Sequence, residues 1–200
     1  MIEKNTKNWL QSITEEYFKS GPARAKEVLD YTITMYPGTN DEFSARFIRA
    51  RGYEAGWFGS IECDKAKNDY DYLIRNNTSS IILSECLLGC ARILYTKKGN
   101  VQEIKELCDL SESLNKNHKS LSLKVLTLLG FSYEIINKDY KTASKYYISS
   151  FYKGSKRGLA YYSYAKLKNG NYTIGIISLV FYYILYPMLS VFDKSKYPVF

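Results

Sequence analysis

A single histidine, His118, occurs in 200 residues, so no mechanism that needs two can run on this chain. It lies in the polar run NKNHKS and reads as a solvated turn residue. Prolines number only four, which leaves room for long uninterrupted helices. Cysteines also number four, and the spacings between Cys63, Cys86, Cys90 and Cys108 contain no CxxC pair of the kind zinc sites usually bring. The N-terminal run MIEKNTKNWLQSITEEYF has no apolar core of the kind a signal peptide needs. The folded part is therefore expected in a reducing compartment, with the cysteines serving as small buried apolar residues. Phosphate loops of the GxxxxGKS or GxxxxGKT type, GxGxxG turns and HExxH helices are all missing. The acidic pairs Glu15-Glu16, Asp41-Glu42 and Asp69-Asp71 read as solvated helix faces or first-turn charges. No catalytic, cofactor-binding or metal-ligating residue emerges, and the expectation is a chain that is not an enzyme and carries no cofactor.

What is present is tyrosine, 20 of them against 9 phenylalanines, in a chain with 46% hydrophobic residues and a net charge of +8. That composition is globular, and the length suits one domain or one run of small repeats. The charge is unevenly placed. Residues 1–100 carry 14 basic and 13 acidic groups, whereas residues 101–200 carry 14 and 7. Eight basic residues fall between Lys138 and Lys168 (Lys138, Lys141, Lys145, Lys153, Lys156, Arg157, Lys166 and Lys168), opposed only by Asp139. The next 24 residues carry no charge and include TIGIISLVFYYILYPMLSVF.

Helical periodicity runs the length of the chain, broken by Ser20-Gly21-Pro22, Pro37-Gly38, Gly59-Ser60, Gly99-Asn100, Asn137-Lys138-Asp139 and Asn169-Gly170-Asn171. These breaks predict ten helices, at about 6–19, 22–36, 41–57, 62–75, 79–96, 100–115, 119–137, 139–153, 155–168 and 171–186, and no strand. They pair into five antiparallel hairpins.

The hairpins resemble the tetratricopeptide family, whose pattern is W-x2-L-G-x2-Y, then A-x3-F, then P. The fourth reads Leu126-x2-Leu129-Gly130-x2-Tyr133 and then Ala143-x3-Tyr147. The first reads Leu10-x2-Ile13-Thr14-x2-Tyr17, then Ala25-x3-Leu29 and Pro37. Gly52 with Ala66-x3-Tyr70, Gly89 with Ile104-x3-Cys108, and Gly175-x3-Leu179 with Pro187 are weaker echoes. The run SSFYKGSKRGLAYYSYAKLKNGNY and the stretched spacing are similar to the Sel-like variant of that family. The resemblance implies an all-α, right-handed superhelical array of about five helix pairs, a solenoid that acts as a protein-interaction scaffold. In bacteria, Sel-like proteins act in envelope, polysaccharide or signalling assemblies, and the Lys, Asn, Ile and Tyr richness suits a low-GC bacterial source.

On this basis residues 1–170 form the helical-repeat domain, 171–192 an apolar C-terminal helix and 193–200 a short polar tail. A terminal repeat needs a polar outer face, and this last helix has none, so something must cover it. It is long enough to span a bilayer. It serves equally as a last-repeat helix docked on protein, on lipid or on a second copy of the chain. The basic block before it fits a cytoplasmic, inner-membrane location. Lys153, Lys156, Arg157, Tyr161, Tyr162, Lys166, Lys168, Phe181 and Tyr182 are the candidate partner or membrane surface. The expected function is a non-catalytic adaptor, with a soluble homodimeric scaffold as the alternative. A third reading is binding of single-stranded nucleic acid through the Lys/Tyr block 138–168, where Tyr140, Tyr146, Tyr147, Tyr152 and Tyr164 join Tyr161 and Tyr162.

Overall fold

The computed structural model describes residues 2–76, 79–116 and 118–185, with side-chain surroundings given from residue 11 to residue 184. Among the described residues ten α-helices follow one another: α1 (Ile2–Ser20), α2 (Pro22–Met35), α3 (Asn40–Ala55), α4 (Cys63–Arg75), α5 (Ser80–Thr96), α6 (Val101–Leu114), α7 (Lys119–Ile135), α8 (Tyr140–Tyr152), α9 (Lys156–Lys168) and α10 (Tyr172–Val180). A π-helical turn, Phe181–Leu185, continues α10. No strand occurs among the described residues. The all-helical class and the five helix pairs are those expected. Pro187, the tail 193–200 and the side chain of Leu10 lie outside the described residues.

Local chemistry explains the boundaries. Pro22 opens α2 at a position where its missing N–H costs nothing. Side chains of Thr39, Ser79, Asn100, Asp139 and Ser155 accept hydrogen bonds from the first-turn amides of α3, α5, α6, α8 and α9. Gly56, at φ 73°, ends α3 in a left-handed conformation two residues earlier than expected. His118 is exposed, as the sequence suggested, and it also has a structural task. Its Nδ1 accepts the Leu121 N–H at 3.2 Å and caps α7.

The chain divides into two compact units, Met1–Asn117 and His118–Phe200. In the first, α1–α2, α3–α4 and α5–α6 are hairpins, each helix packs on the next, and α1, α3 and α5 pack side by side. In the second, α7, α8, α9 and α10 pack in succession. The small-then-large positions of the repeat pattern form the core. Ala25, Leu29, Ala66, Tyr70, Ile104, Cys108, Ala143 and Tyr147 have no solvent exposure.

The notch left by a glycine on one helix takes an aromatic ring from elsewhere. A Cβ on Gly130 would stand 2.3 Å from the Tyr147 ring, and one on Gly89 2.5 Å from the Tyr70 ring. Tyr70 therefore serves the following hairpin, while Phe58, from the α3–α4 turn, fills the notch at Gly52. This explains the weak echo of Gly89 with Ile104-x3-Cys108, because Cys108 has no ring to supply and the preceding hairpin supplies it instead. At Gly158 the close approach is to backbone rather than to a ring, with the Phe151 nitrogen and Tyr147 carbonyl oxygen 2.7 and 2.8 Å from where a Cβ would be.

Candidate docking surface

Two of the acidic pairs do not behave as solvated charges. Glu42 and Asp69 are buried, at 1% and 3% exposure. Arg46 donates to Glu42 at 2.6 Å and to Asp69 at 3.1 Å, and Arg49 donates to Asp69 at 2.7 Å and to Asp30 at 2.6 Å. Arg46 also lies over the Tyr72 ring at 3.8 Å. The local clue is Arg46, one turn from Glu42 on α3, but the links from Arg46 and Arg49 to Asp69 span 23 and 20 residues and leave no local pattern. A second cluster holds Glu54 between Arg92 and the Tyr70 hydroxyl, which donates to it at 2.7 Å. Burial pushes the Glu54 carboxyl up, but the Arg92 hydrogen bond and charge outweigh it, and the net direction is down.

These clusters are saturated. Arg46, Arg49, Lys65, Asn68, Asp69 and Tyr72 line an open concavity of about 310 Å³, yet each of its cations already faces a carboxylate. A second concavity, of about 290 Å³, is apolar and lies among Ile13, Tyr17, Phe18, Trp57 and Phe58. Among the described residues no group of three His, Cys, Asp or Glu side chains is placed to hold a metal. The cysteines are unpaired, and Cys86, Cys90 and Cys108 are buried. Burial pushes the Cys90 thiol up to about 11 and the Cys108 thiol up to about 12.

In the second unit the nine candidate residues separate into different roles. Tyr161 is half-buried, 4.9 Å from the Phe131 ring and 5.4 Å from that of Tyr147. Tyr162 is half-buried, with the Lys166 ammonium 5.4 Å from its ring centre. Lys168 pairs with Glu134 at 2.7 Å, which raises its pKa, and Glu134 in turn accepts from the Tyr147 hydroxyl at 2.8 Å. Lys153 donates to the Ser122 hydroxyl. Lys156 and Arg157 form the exposed first turn of α9. Phe181 and Tyr182 are half-buried. Of the seven tyrosines in the Lys/Tyr block, Tyr152 and Tyr164 are exposed and the other five are half-buried or buried in packing. A base-stacking platform needs open ring faces, and this block presents few.

The exposed side chains of the last helix are different ones. Tyr172, Ile176, Ile177, Val180, Tyr183 and Ile184 follow one another along α10 and the π-helical turn, each between 45% and 65% exposed. Ile174 is exposed as well. The opposite side packs on α9, with Gly175 buried against Leu167 and Ser163. Tyr164 joins the stripe from α9, and a side-chain hydrogen bond links it to Tyr183. Residues 172–184 contain no charged side chain. Sequence inspection took this segment as apolar on every side and named Phe181 and Tyr182. The structure half-buries both and exposes Tyr183 and Ile184, which continue the stripe at i+7 from Ile176 and i+4 from Val180. No helix among the described residues is long and apolar enough to cross a membrane.

No family model and no curated protein matches the sequence. Solved structures do match the fold. PilF of Pseudomonas aeruginosa is 13% identical with a TM-score of 0.66, over 88% of this chain and 74% of that one. MamA is 13% identical with a TM-score of 0.65, over 92% of this chain and 96% of that one. Both are tetratricopeptide-repeat proteins. The fold of this chain is tetratricopeptide-like. At that identity the likeness concerns backbone architecture, and the buried Ala-x3-Tyr and notch-and-ring packing supply its side-chain basis here.

Proposed function

We propose that this chain is a non-catalytic helical-repeat scaffold that mediates protein–protein interaction. It docks its last hairpin, α9–α10, at the cytoplasmic face of a membrane or on a membrane-held partner, in a bacterial envelope or polysaccharide assembly. The observation that carries this is the uncovered stripe Tyr172, Ile176, Ile177, Val180, Tyr183 and Ile184. Fully burying a large aliphatic or aromatic side chain gains about 1.5–3 kcal/mol. Half-exposed side chains retain part of that gain, and six together make several kcal/mol available to whatever covers them. A repeat fold normally covers such a face with another repeat or a polar capping helix.

The test is fractionation of broken cells expressing the full chain and its Ile176→Asp/Val180→Asp variant. Both positions are exposed, so the variant should keep its helical circular dichroism. The parent should pellet with membranes and co-purify with partners, and the variant should stay in the supernatant. A variant that fractionates like the parent would end this reading. A soluble homodimer is the second reading, favoured by the lack of charge along the stripe, which lets two copies face each other without repulsion. It predicts a detergent-free dimer that the same variant converts to a monomer.

A further inference from the structure

The docking reading leaves the partner of the α10 stripe unnamed, and the other unit of the same chain carries a surface that fits it. We propose that the stripe of one copy docks into the apolar concavity beside α1 of a second copy, so that the chain associates with itself head to tail. This rests on the reading of α9–α10 as a docking hairpin and names its partner.

Three observations carry it. The first is shape. The stripe is a row of outward side chains on a helix whose opposite side is closed against α9. The concavity in the first unit is the converse, a hollow of about 290 Å³. Buried Ile13 and half-buried Phe58 lie on its inner side, and the Phe58 ring is held by the Gly52 notch and by Tyr53, 5.4 Å away. Phe18 and Trp57, 83% and 37% exposed, stand on its outer side. An apolar cavity of about 150 Å³ holds benzene, so the hollow has room for about two side chains of the stripe.

The second is chemistry. Ile13, Thr14, Tyr17, Phe18, Trp57 and Phe58 line the hollow, and none carries a charge; nor does any residue from 172 to 184. Exposed aromatic rings around a hollow are the kind of anchor that protein interfaces use. A lipid surface would cover projecting side chains and leave the hollow unfilled. A second copy covers both at once.

The third is charge, and it decides which part of the second copy is met. Residues 1–117 carry 16 basic and 17 acidic side chains, a net of −1, and residues 118–200 carry 12 and 3, a net of +9. The stripe is uncharged, but the unit that bears it is not. Joining stripe to stripe brings two units of +9 together, whereas joining stripe to hollow sets +9 against −1. A contact between two different patches leaves one stripe and one hollow unused, so association continues past the dimer unless it closes into a ring. Stable interfaces engage about 20–30 residues a side, and this one engages fewer, so the expected Kd is on the order of 10 μM.

The experiment is sedimentation velocity of the full chain without lipid, from about a tenth to ten times that Kd. The mean mass should rise with concentration and pass that of a dimer. Phe18→Asp blocks the hollow and Ile176→Asp/Val180→Asp blocks the stripe, and all three positions are exposed. Each variant alone should stay monomeric, with its far-ultraviolet spectrum unchanged. An equimolar mixture of the two should form a dimer and stop there, because only one stripe and one hollow remain competent. In a Trp9→Phe background, Trp57 emission should shift to the blue as the parent associates, a readout that needs no blocking variant. Salt should change the association little, whereas a stripe-to-stripe dimer should tighten as its repulsion is screened.

A parent that stays monomeric throughout would overturn the proposal, as would a mixture of the two variants that stays monomeric. Phe18→Asp protein that still dimerises would overturn it in favour of stripe-to-stripe pairing. If the parent does not associate but Ile176→Asp/Val180→Asp still releases the chain from cell membranes, the self-association falls and the docking reading stands. If neither effect is seen, both fall.

Discussion

Replacing Gly130 by alanine should destabilise the second unit, although alanine is the better helix former. A Cβ at this position would lie 2.3 Å from Cε1 and 2.6 Å from Cδ1 of Tyr147, so the ring must retreat by about an ångström to reach ordinary contact. It has nowhere to go. Tyr147 is fully buried, and Phe131 and Tyr161 stand 5.7 and 5.4 Å away, centre to centre. Its hydroxyl is tied to Glu134, which Lys168 anchors. Overpacking of this kind costs about 1–3 kcal/mol. Exchanging glycine for alanine in a helix returns about 0.8–1.0 kcal/mol. The net expectation is a loss of up to about 2 kcal/mol, reaching about 3 if the hydroxyl is pulled from the buried carboxylate. Urea unfolding followed by circular dichroism at 222 nm measures it, and the melting temperature should fall by about 2–4 °C per kcal/mol. A Tyr147→Leu background removes the ring. There the same Gly130→Ala change should be neutral or stabilising, and the difference between backgrounds isolates the ring contact. Gly130→Ala that stabilises both backgrounds equally would refute the notch-and-ring account.

Three further outcomes are expected. Asp69→Asn should cost about 3–5 kcal/mol, because it strips Arg46 and Arg49 of a shared buried carboxylate; a change below 1 kcal/mol by urea titration would show the cluster to be hydrated and weak. Burial pushes the carboxyls of Glu42 and Glu54 up, but Arg46 and Arg92 outweigh it and hold them below the ordinary range. Their contribution is therefore complete above the unfolded value of about 4 and lost as pH falls through the lower folded values, so urea midpoints should be flat from pH 7 to 5 and drop below about pH 4; midpoints that stay flat to pH 3 would contradict this. Ellman's reagent should modify the half-exposed Cys63 first and reach Cys86, Cys90 and Cys108 only on unfolding, since burial raises those thiols; rapid modification of all four in the native protein would show that α5 and α6 open freely.

The fold was legible because its signals are local. Turn residues such as Gly21-Pro22, Asn100 and Asp139 sit where the chain reverses, and the small-x3-large spacing places Ala25, Ala66 and Ala143 inward whatever surrounds them. The surface was less legible because its signals are not. Counting lysines could not reveal that Lys168 meets Glu134 across 34 residues or that Lys153 meets Ser122 across 31. Adjacent tyrosines could not reveal that Tyr161 packs on Phe131 while Tyr164 stays exposed. A segment apolar on every side also gives no hint of which side α9 covers, and in the structure Phe181 and Tyr182 are half-buried while Tyr183 and Ile184 stand on the outer stripe.

Tyr70 belongs to α4, fills the notch of α5 at Gly89, and donates its hydroxyl to Glu54 of α3, which Arg92 of α5 holds in turn. A repeat array is often treated as a row of weakly coupled beads, each able to fray while its neighbour stays folded. Here one side chain threads three helices from two hairpins, so neither hairpin can melt without breaking the other's buried contacts. Amide protons in the middle turns of α3, α4 and α5 should therefore exchange through a single shared opening, with one free energy and one denaturant dependence, as one foldon rather than two.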